Sequence, residues 1–218
     1  MMRSTCSLKP IACLLAVLPL ILLWPTVRHR IESQMLLHML LEFPALFAAG
    51  WAARVSLLPA ATRRFPRSCK AMAVLDWAGL TSASLVTCVM MFWMIPAALD
   101  ATLLVPWVAA AKYASWWLAG VMLAGSWRRM APELLLFFVG NLSWTSATAG
   151  MLYMDTTSRL CANYLTDDQS NTGTGLVLLA LVLGALALRQ MMRLGGSAPA
   201  EPHQITPPAA PAPTKAVR

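Results

Sequence analysis

Long runs of apolar residues dominate this chain and decide what it can fold into. A helix needs about 20 mostly apolar residues to cross a bilayer, and the sequence holds such runs over 33–58 and 71–94. Apolar residues make up 58% of the 218 positions and charged residues only 12%, whereas a soluble domain is about 25% charged. The composition excludes a soluble enzyme, a disordered chain and a disulfide-stapled secreted module. It predicts an all-α integral membrane protein.

About six transmembrane helices are predicted, in a single helical domain over residues 11–193. The predicted spans are 11–24, 33–58, 71–94, 106–125, 134–153 and 174–192. Residues 1–10 precede the bundle. The Pro/Ala-rich tail, 194–218, cannot bury a core and is predicted to be disordered.

The first apolar segment is short and contains Pro19, so it also fits the core of a signal peptide. We favour an uncleaved anchor, because no small-x-small cleavage site follows Trp24. Most Lys and Arg residues lie in segments that six spans would place on one side, including the 59–70 and 126–133 loops. By the positive-inside rule, both termini are predicted to be cytoplasmic.

Ionisable residues within the predicted spans are costly in hydrocarbon unless they are paired or face water. Met35, His38 and Glu42 follow one another at i, i+3 and i+7, on one helical face. At about 1.5 Å per residue, His38 lies roughly 8 Å below the outer surface and Glu42 roughly 13 Å below it. Lys112 and Tyr113 lie at a similar depth, roughly 9–10 Å.

Imidazole and thioether groups are soft ligands that suit Cu(I). The chemistry therefore predicts a reduced-copper site at the outer leaflet, with acidic side chains that attract the cation. Its candidate residues are His38, Met35, Met39, Met91, Met94, Asp100 and Asp168.

Less specific interpretations remain open. A lone intramembrane His is often a hydrogen-bond partner between helices, and Met at helical spacing often only packs. Glu42 and Lys112 could form a buried ion pair that fixes the bundle, or could line a transport path together with Asn141. The third alternative is a structural membrane subunit without a ligand. The sequence contains no C-x-x-C, P-loop or H-E-x-x-H motif, and we predict that the protein is not an enzyme.

Four segments carry a resemblance to a known family. Residues 34–41 (QMLLHMLL) resemble the H-M-x-x-H-M-L-L start of a span in the CtaG family, bacterial membrane proteins needed for cytochrome c oxidase assembly. Residues 92–101 (FWMIPAALDA) are similar to that family's W-H-x-P-A-L-x-D-A segment. Residues 111–120 (AKYASWWLAG) resemble its L-E-H-x-x-F-F-x-x-G helix, and residues 167–169 (DDQ) its outer D-Q-Q loop.

The resemblance implies an accessory factor of the bacterial inner membrane that handles Cu(I). Its partners would be cytochrome c oxidase subunits or a copper chaperone. The chain departs from the family at Gln34, Met94 and Lys112–Tyr113, so that only His38 remains of four expected histidines. Either methionines complete a thioether-rich copper site, or the metal function is lost and the bundle serves as a scaffold.

Overall fold

The computed structural model describes residues 17, 19, 21–56, 76–156 and 163–195. Within these ranges every regular element is a helix and no described residue lies in a strand, which confirms the predicted all-α class. The helices are α1 (Pro25–Glu32), α2 (Met35–Ser56), α3 (Leu80–Trp93), α4 (Pro96–Leu104), α5 (Pro106–Ser126), α6 (Pro132–Asp155) and α7 (Thr166–Gly195). The predicted segments 1–10, 11–24 and 194–218 lie wholly or mostly outside the described residues.

Proline marks the start of four of these helices. Pro25, Pro96, Pro106 and Pro132 each occupy the first turn, after a residue in extended conformation. A proline ring fixes φ near the helical value and disfavours the helical region for the residue before it. Each proline therefore begins a new helix and also prevents the preceding one from continuing.

Three helices, α2, α6 and α7, are long and apolar enough to cross a membrane. Helices α3 and α4 meet this criterion as a pair, bent by 77° at the break before Pro96, which gives up to four spans among the described residues. Helix α5 covers the residues of the predicted fourth span, 106–125, but is not among the helices that meet this criterion. The outer faces of α6 and α7 are open, since only 17% and 11% of their most apolar windows are buried within the bundle.

Glycines allow close approach between two pairs of helices. A Cβ atom on Gly50 would lie 2.0 Å from the Trp117 carbonyl oxygen, and one on Gly120 would lie 2.1 Å from that of Phe47. Helices α6 and α7 approach in the same way at Gly150 and Gly173. Small residues are the usual means of close helix packing in membranes. Here they bring α2 and α5 together next to a cluster of buried polar side chains.

Candidate functional site

A π-helical turn in α2 carries two of the polar side chains that lie inside the bundle. Residues Met35–Leu37 begin the helix, His38–Glu42 form the π turn, and Phe43–Ser56 continue as regular α-helix. His38 and Glu42 are the first and last residues of this turn, and His38 Nε2 lies 3.5 Å from Glu42 Oε2. Single π turns within α-helices are rare and occur frequently at functional sites.

The ammonium group of Lys112, on α5, lies at the centre of the cluster. Its Nζ atom is 2.7 Å from Glu32 Oε1, 2.9 Å from His38 Nε2 and 2.8 Å from Glu42 Oε1. Lys112 and His38 are fully buried, and Glu42 is only 1% exposed. The predicted buried ion pair between Glu42 and Lys112 is therefore confirmed, and a second carboxylate and an imidazole share the same ammonium.

A second cation balances the remaining negative charge. Arg28, one helical turn before Glu32 on α1, donates from Nε to Glu32 Oε2 at 2.8 Å. The two carboxylates thus face two cations, Lys112 and the partly exposed Arg28. Buried charges are tolerated when they are paired and hydrogen-bonded in this way.

The hydrogen bonds around His38 fix which ring nitrogen carries the proton. The ammonium group of Lys112 can only donate hydrogen bonds, so His38 Nε2 must accept a hydrogen bond from it. His38 Nδ1 then carries the hydrogen and donates it to the Tyr164 hydroxyl at 2.7 Å. Tyr164 in turn donates to the backbone carbonyl of Glu32 at 3.0 Å. The imidazole is neutral and presents its Nε2 lone pair to the centre of the cluster.

One carboxylate oxygen in the cluster has no hydrogen-bond partner. This atom is Glu42 Oε2, which is buried. The hydroxyl of Tyr113 lies near the same carboxylate, but it donates to the Leu22 carbonyl at 3.2 Å. One ligand atom each from Glu32, His38 and Glu42 lie within 4.8 Å of one another, a spacing that could hold a metal ion. The unpartnered Oε2 belongs to the Glu42 carboxylate of this group.

The methionines predicted as ligands are placed in different surroundings. Met35 and Met39 are buried on α2, on either side of His38 in sequence. Met91 is 52% exposed on the surface of the bundle, so the structure does not bring its thioether to the buried imidazole. Met94 is partly buried at the end of α3, where its carbonyl accepts a hydrogen bond from Tyr153.

The two predicted acidic residues make structural contacts outside the cluster. Asp168 accepts a hydrogen bond from the backbone N–H of Met35, which links the first turn of α7 to the start of α2. Asp100 accepts from the side-chain amide of Asn163 at 3.1 Å. Both carboxylates thus connect elements at the same end of the bundle as the cluster.

Sequence reasoning did not assign Glu32 and Tyr164 to the site. Glu32 directly precedes the long apolar run that begins at Ser33, a position typical of a loop between spans. The signal that could have identified it is Arg28, four residues earlier, since such a pair indicates a short helix that begins at Pro25. Nothing in the sequence around Tyr164 indicates that its hydroxyl contacts His38.

No protein-family model, curated protein or solved structure matches the chain.

Proposed function

We propose that the protein is a non-enzymatic membrane accessory factor that holds a metal cation between Glu32, His38 and Glu42. One observation carries this proposal: three donor atoms from two helices converge within 4.8 Å of one another in the bundle interior. The unpartnered Oε2 of Glu42 supports it, because a buried carboxylate oxygen without a donor needs a cation or a proton.

The donor set favours a divalent ion of intermediate hardness, such as Zn²⁺. Zinc is commonly bound by imidazole nitrogen and carboxylate oxygen, and its open sites use three protein ligands. Cu(I) prefers thiolate and thioether ligands, so the two carboxylates weigh against reduced copper at this position. The copper site of His38 with Met35 and Met94 stays a separate prediction that the same titration tests.

Lys112 and a metal ion compete for the same donors. The ammonium makes its three contacts at 2.7–2.9 Å, so a metal can enter only when the flexible lysine side chain moves away. Only the molecules in which Lys112 has moved away can bind the metal. The apparent affinity of the whole sample is therefore reduced in proportion to the fraction of such molecules. The wild-type chain therefore binds metal weakly and reversibly, as suits a factor that passes the ion on.

The partner follows from the resemblance of four segments to the CtaG family. On that basis the accessory role is assembly of a respiratory cytochrome c oxidase in the bacterial inner membrane, by a six-span bundle with both termini cytoplasmic. A strain that lacks the chain should lose oxidase activity. Wild type should restore it, whereas Glu42→Gln, which keeps the shape of the side chain, should not.

The decisive experiment is a titration of the purified full-length chain in detergent against a chromophoric chelator, with Zn²⁺ and, under reductant, with Cu(I). We expect one equivalent of Zn²⁺ to bind, and His38→Ala and Glu42→Gln to abolish binding. Asp155→Asn, which alters an exposed acid at the end of α6, is the matched control and should bind normally. Lys112→Met should bind about tenfold tighter or more, because the competitor is gone.

Absence of Zn²⁺ binding in both wild type and Lys112→Met would overturn the proposed site. If Cu(I) alone bound, and Met35→Leu abolished that binding, the thioether site would be correct instead. If neither metal bound, the cluster would be an ion-pair lock in a structural subunit.

A further inference from the structure

A groove lies on the bundle surface at the end opposite the Glu32 cluster. It is formed by Trp127 just after α5, the first half of α6 and the second half of α7, and has a volume of about 390 Å³. Leu136, Val139 and Leu183 contribute to its apolar wall. Two arginines of α7, Arg189 and Arg193, lie at one end of it. We propose that this groove binds an anionic phospholipid, whose phosphate is held by the two arginines.

The arginines are spaced to act on one group. They are four residues apart on α7, and side chains at i and i+4 lie on the same helical face. Both side chains are exposed, and a guanidinium group can donate two parallel hydrogen bonds to phosphate oxygens. The charge at this end is therefore complementary to a phosphodiester anion.

Two neutral side chains complete the polar end. Gln190 lines the groove between the arginines, and Trp127 lines it from the end of α5. Tryptophan side chains are enriched at the level of lipid headgroups, where the ring packs on apolar groups and the N–H meets polar ones. The groove thus changes from polar to apolar along its length, as a phospholipid does.

The apolar part of the groove is positioned for an acyl chain. Leu183 lies six residues before Arg189 on α7, which is roughly 9 Å along the helix. This stretch belongs to the candidate span whose surface is mostly unburied within the bundle, so the groove opens where lipid chains would surround the protein. Basic pockets between membrane helices are known to bind anionic headgroups.

The test is native mass spectrometry of the delipidated full-length chain with added phosphatidylglycerol, compared with phosphatidylcholine of the same acyl chains. Wild type should retain phosphatidylglycerol preferentially. Each arginine near a headgroup contributes about fivefold in affinity, so Arg189→Gln with Arg193→Gln should remove most of the preference. Arg128→Gln with Arg129→Gln is the matched control, because it removes the same two charges at the same end from residues that do not line the groove.

Each other outcome overturns the proposal. Equal retention of both lipids by wild type would mean that the groove is not selective. An equal loss in the Arg128/Arg129 control and in the Arg189/Arg193 variant would mean that only the general positive charge matters. Displacement of phosphatidylglycerol by millimolar inorganic phosphate would indicate a site for free anion and not for lipid. Thermal unfolding of each variant checks that it is folded.

Discussion

The Nζ atom of Lys112 lies 2.9 Å from His38 Nε2, so the ring nitrogen that would ligate a metal accepts a hydrogen bond from an ammonium instead. The same ammonium contacts Glu32 and Glu42. A positive charge fixed to α5 thus takes the place of a free cation, and the stability of the bundle should depend on it.

Replacement of Lys112 by Met, which has similar length and no charge, should destabilise the metal-free protein strongly. It leaves Glu42 buried without a counter-ion, and removal of one partner from a buried pair costs about 3–5 kcal/mol. The measurement is equilibrium unfolding in detergent, followed by tryptophan fluorescence. Arg129→Met is the control, since that side chain is 47% exposed and 3.5 Å from Asp76, and its loss should cost less than about 1 kcal/mol. Equal losses would contradict the central role of Lys112.

Tyr164→Phe should change the protonation pattern of His38. The hydroxyl accepts the Nδ1 hydrogen of the ring and donates to the Glu32 carbonyl, and an unsatisfied buried group costs about 1–3 kcal/mol. In ¹⁵N NMR spectra, wild-type His38 should appear only as the Nδ1-protonated tautomer. The variant should no longer show this tautomer alone. Tyr153→Phe removes another buried hydroxyl, one that donates to Met94, and should leave the imidazole signals unchanged. A wild-type Nε2–H signal would refute the assignment.

Gly120→Ala should prevent α2 and α5 from packing closely. The added Cβ would lie 2.1 Å from the Phe47 carbonyl oxygen, and an over-packed contact costs about 1–3 kcal/mol. Gly140→Ala gives the comparison, because a Cβ there meets no atom within 4 Å of the described structure. It should stabilise the chain by roughly 0.5–1 kcal/mol through helix propensity. If both alanines proved stabilising, the close approach at Gly120 would be disproved.

Asp168→Ala should loosen the contact between the start of α7 and the start of α2. Its carboxylate accepts the Met35 N–H, so the variant should expose that amide to faster hydrogen exchange and lose about 1–3 kcal/mol. Asp167→Ala removes the neighbouring acid, which is exposed, and should leave exchange at Met35 as it is in wild type. Unchanged exchange in Asp168→Ala would show that the hydrogen bond is not formed in the membrane protein.

Much of the helical framework could be predicted from the sequence, because long apolar runs and helix-starting prolines are local signals. The apolar segments 106–125 and 134–153 correspond closely to the helices Pro106–Ser126 and Pro132–Asp155, of which the second is a candidate membrane span. The short helices Pro25–Glu32 and Pro96–Leu104 were missed, since eight or nine residues give too little periodicity.

The candidate site was only partly predictable. The pairing of Glu42 with Lys112 followed from their similar depth, which sequence spacing gives directly. The approach of Glu32 depends on the direction of a separate helix, and that of Tyr164 on a contact 126 positions away from His38. Neither relationship leaves a local pattern in the sequence.

The order in which the chain is synthesised gives the polar cluster a further meaning. Glu32, His38 and Glu42 enter early, Lys112 follows 70 positions after Glu42, and Tyr164 arrives 132 positions after Glu32. Until α5 has joined α2, the carboxylate of Glu42 stays without its cation, and until the segment before α7 is in place the imidazole stays free to turn. The charges of α1 and α2 are therefore fully compensated only when the late-made part of the described bundle has packed against them.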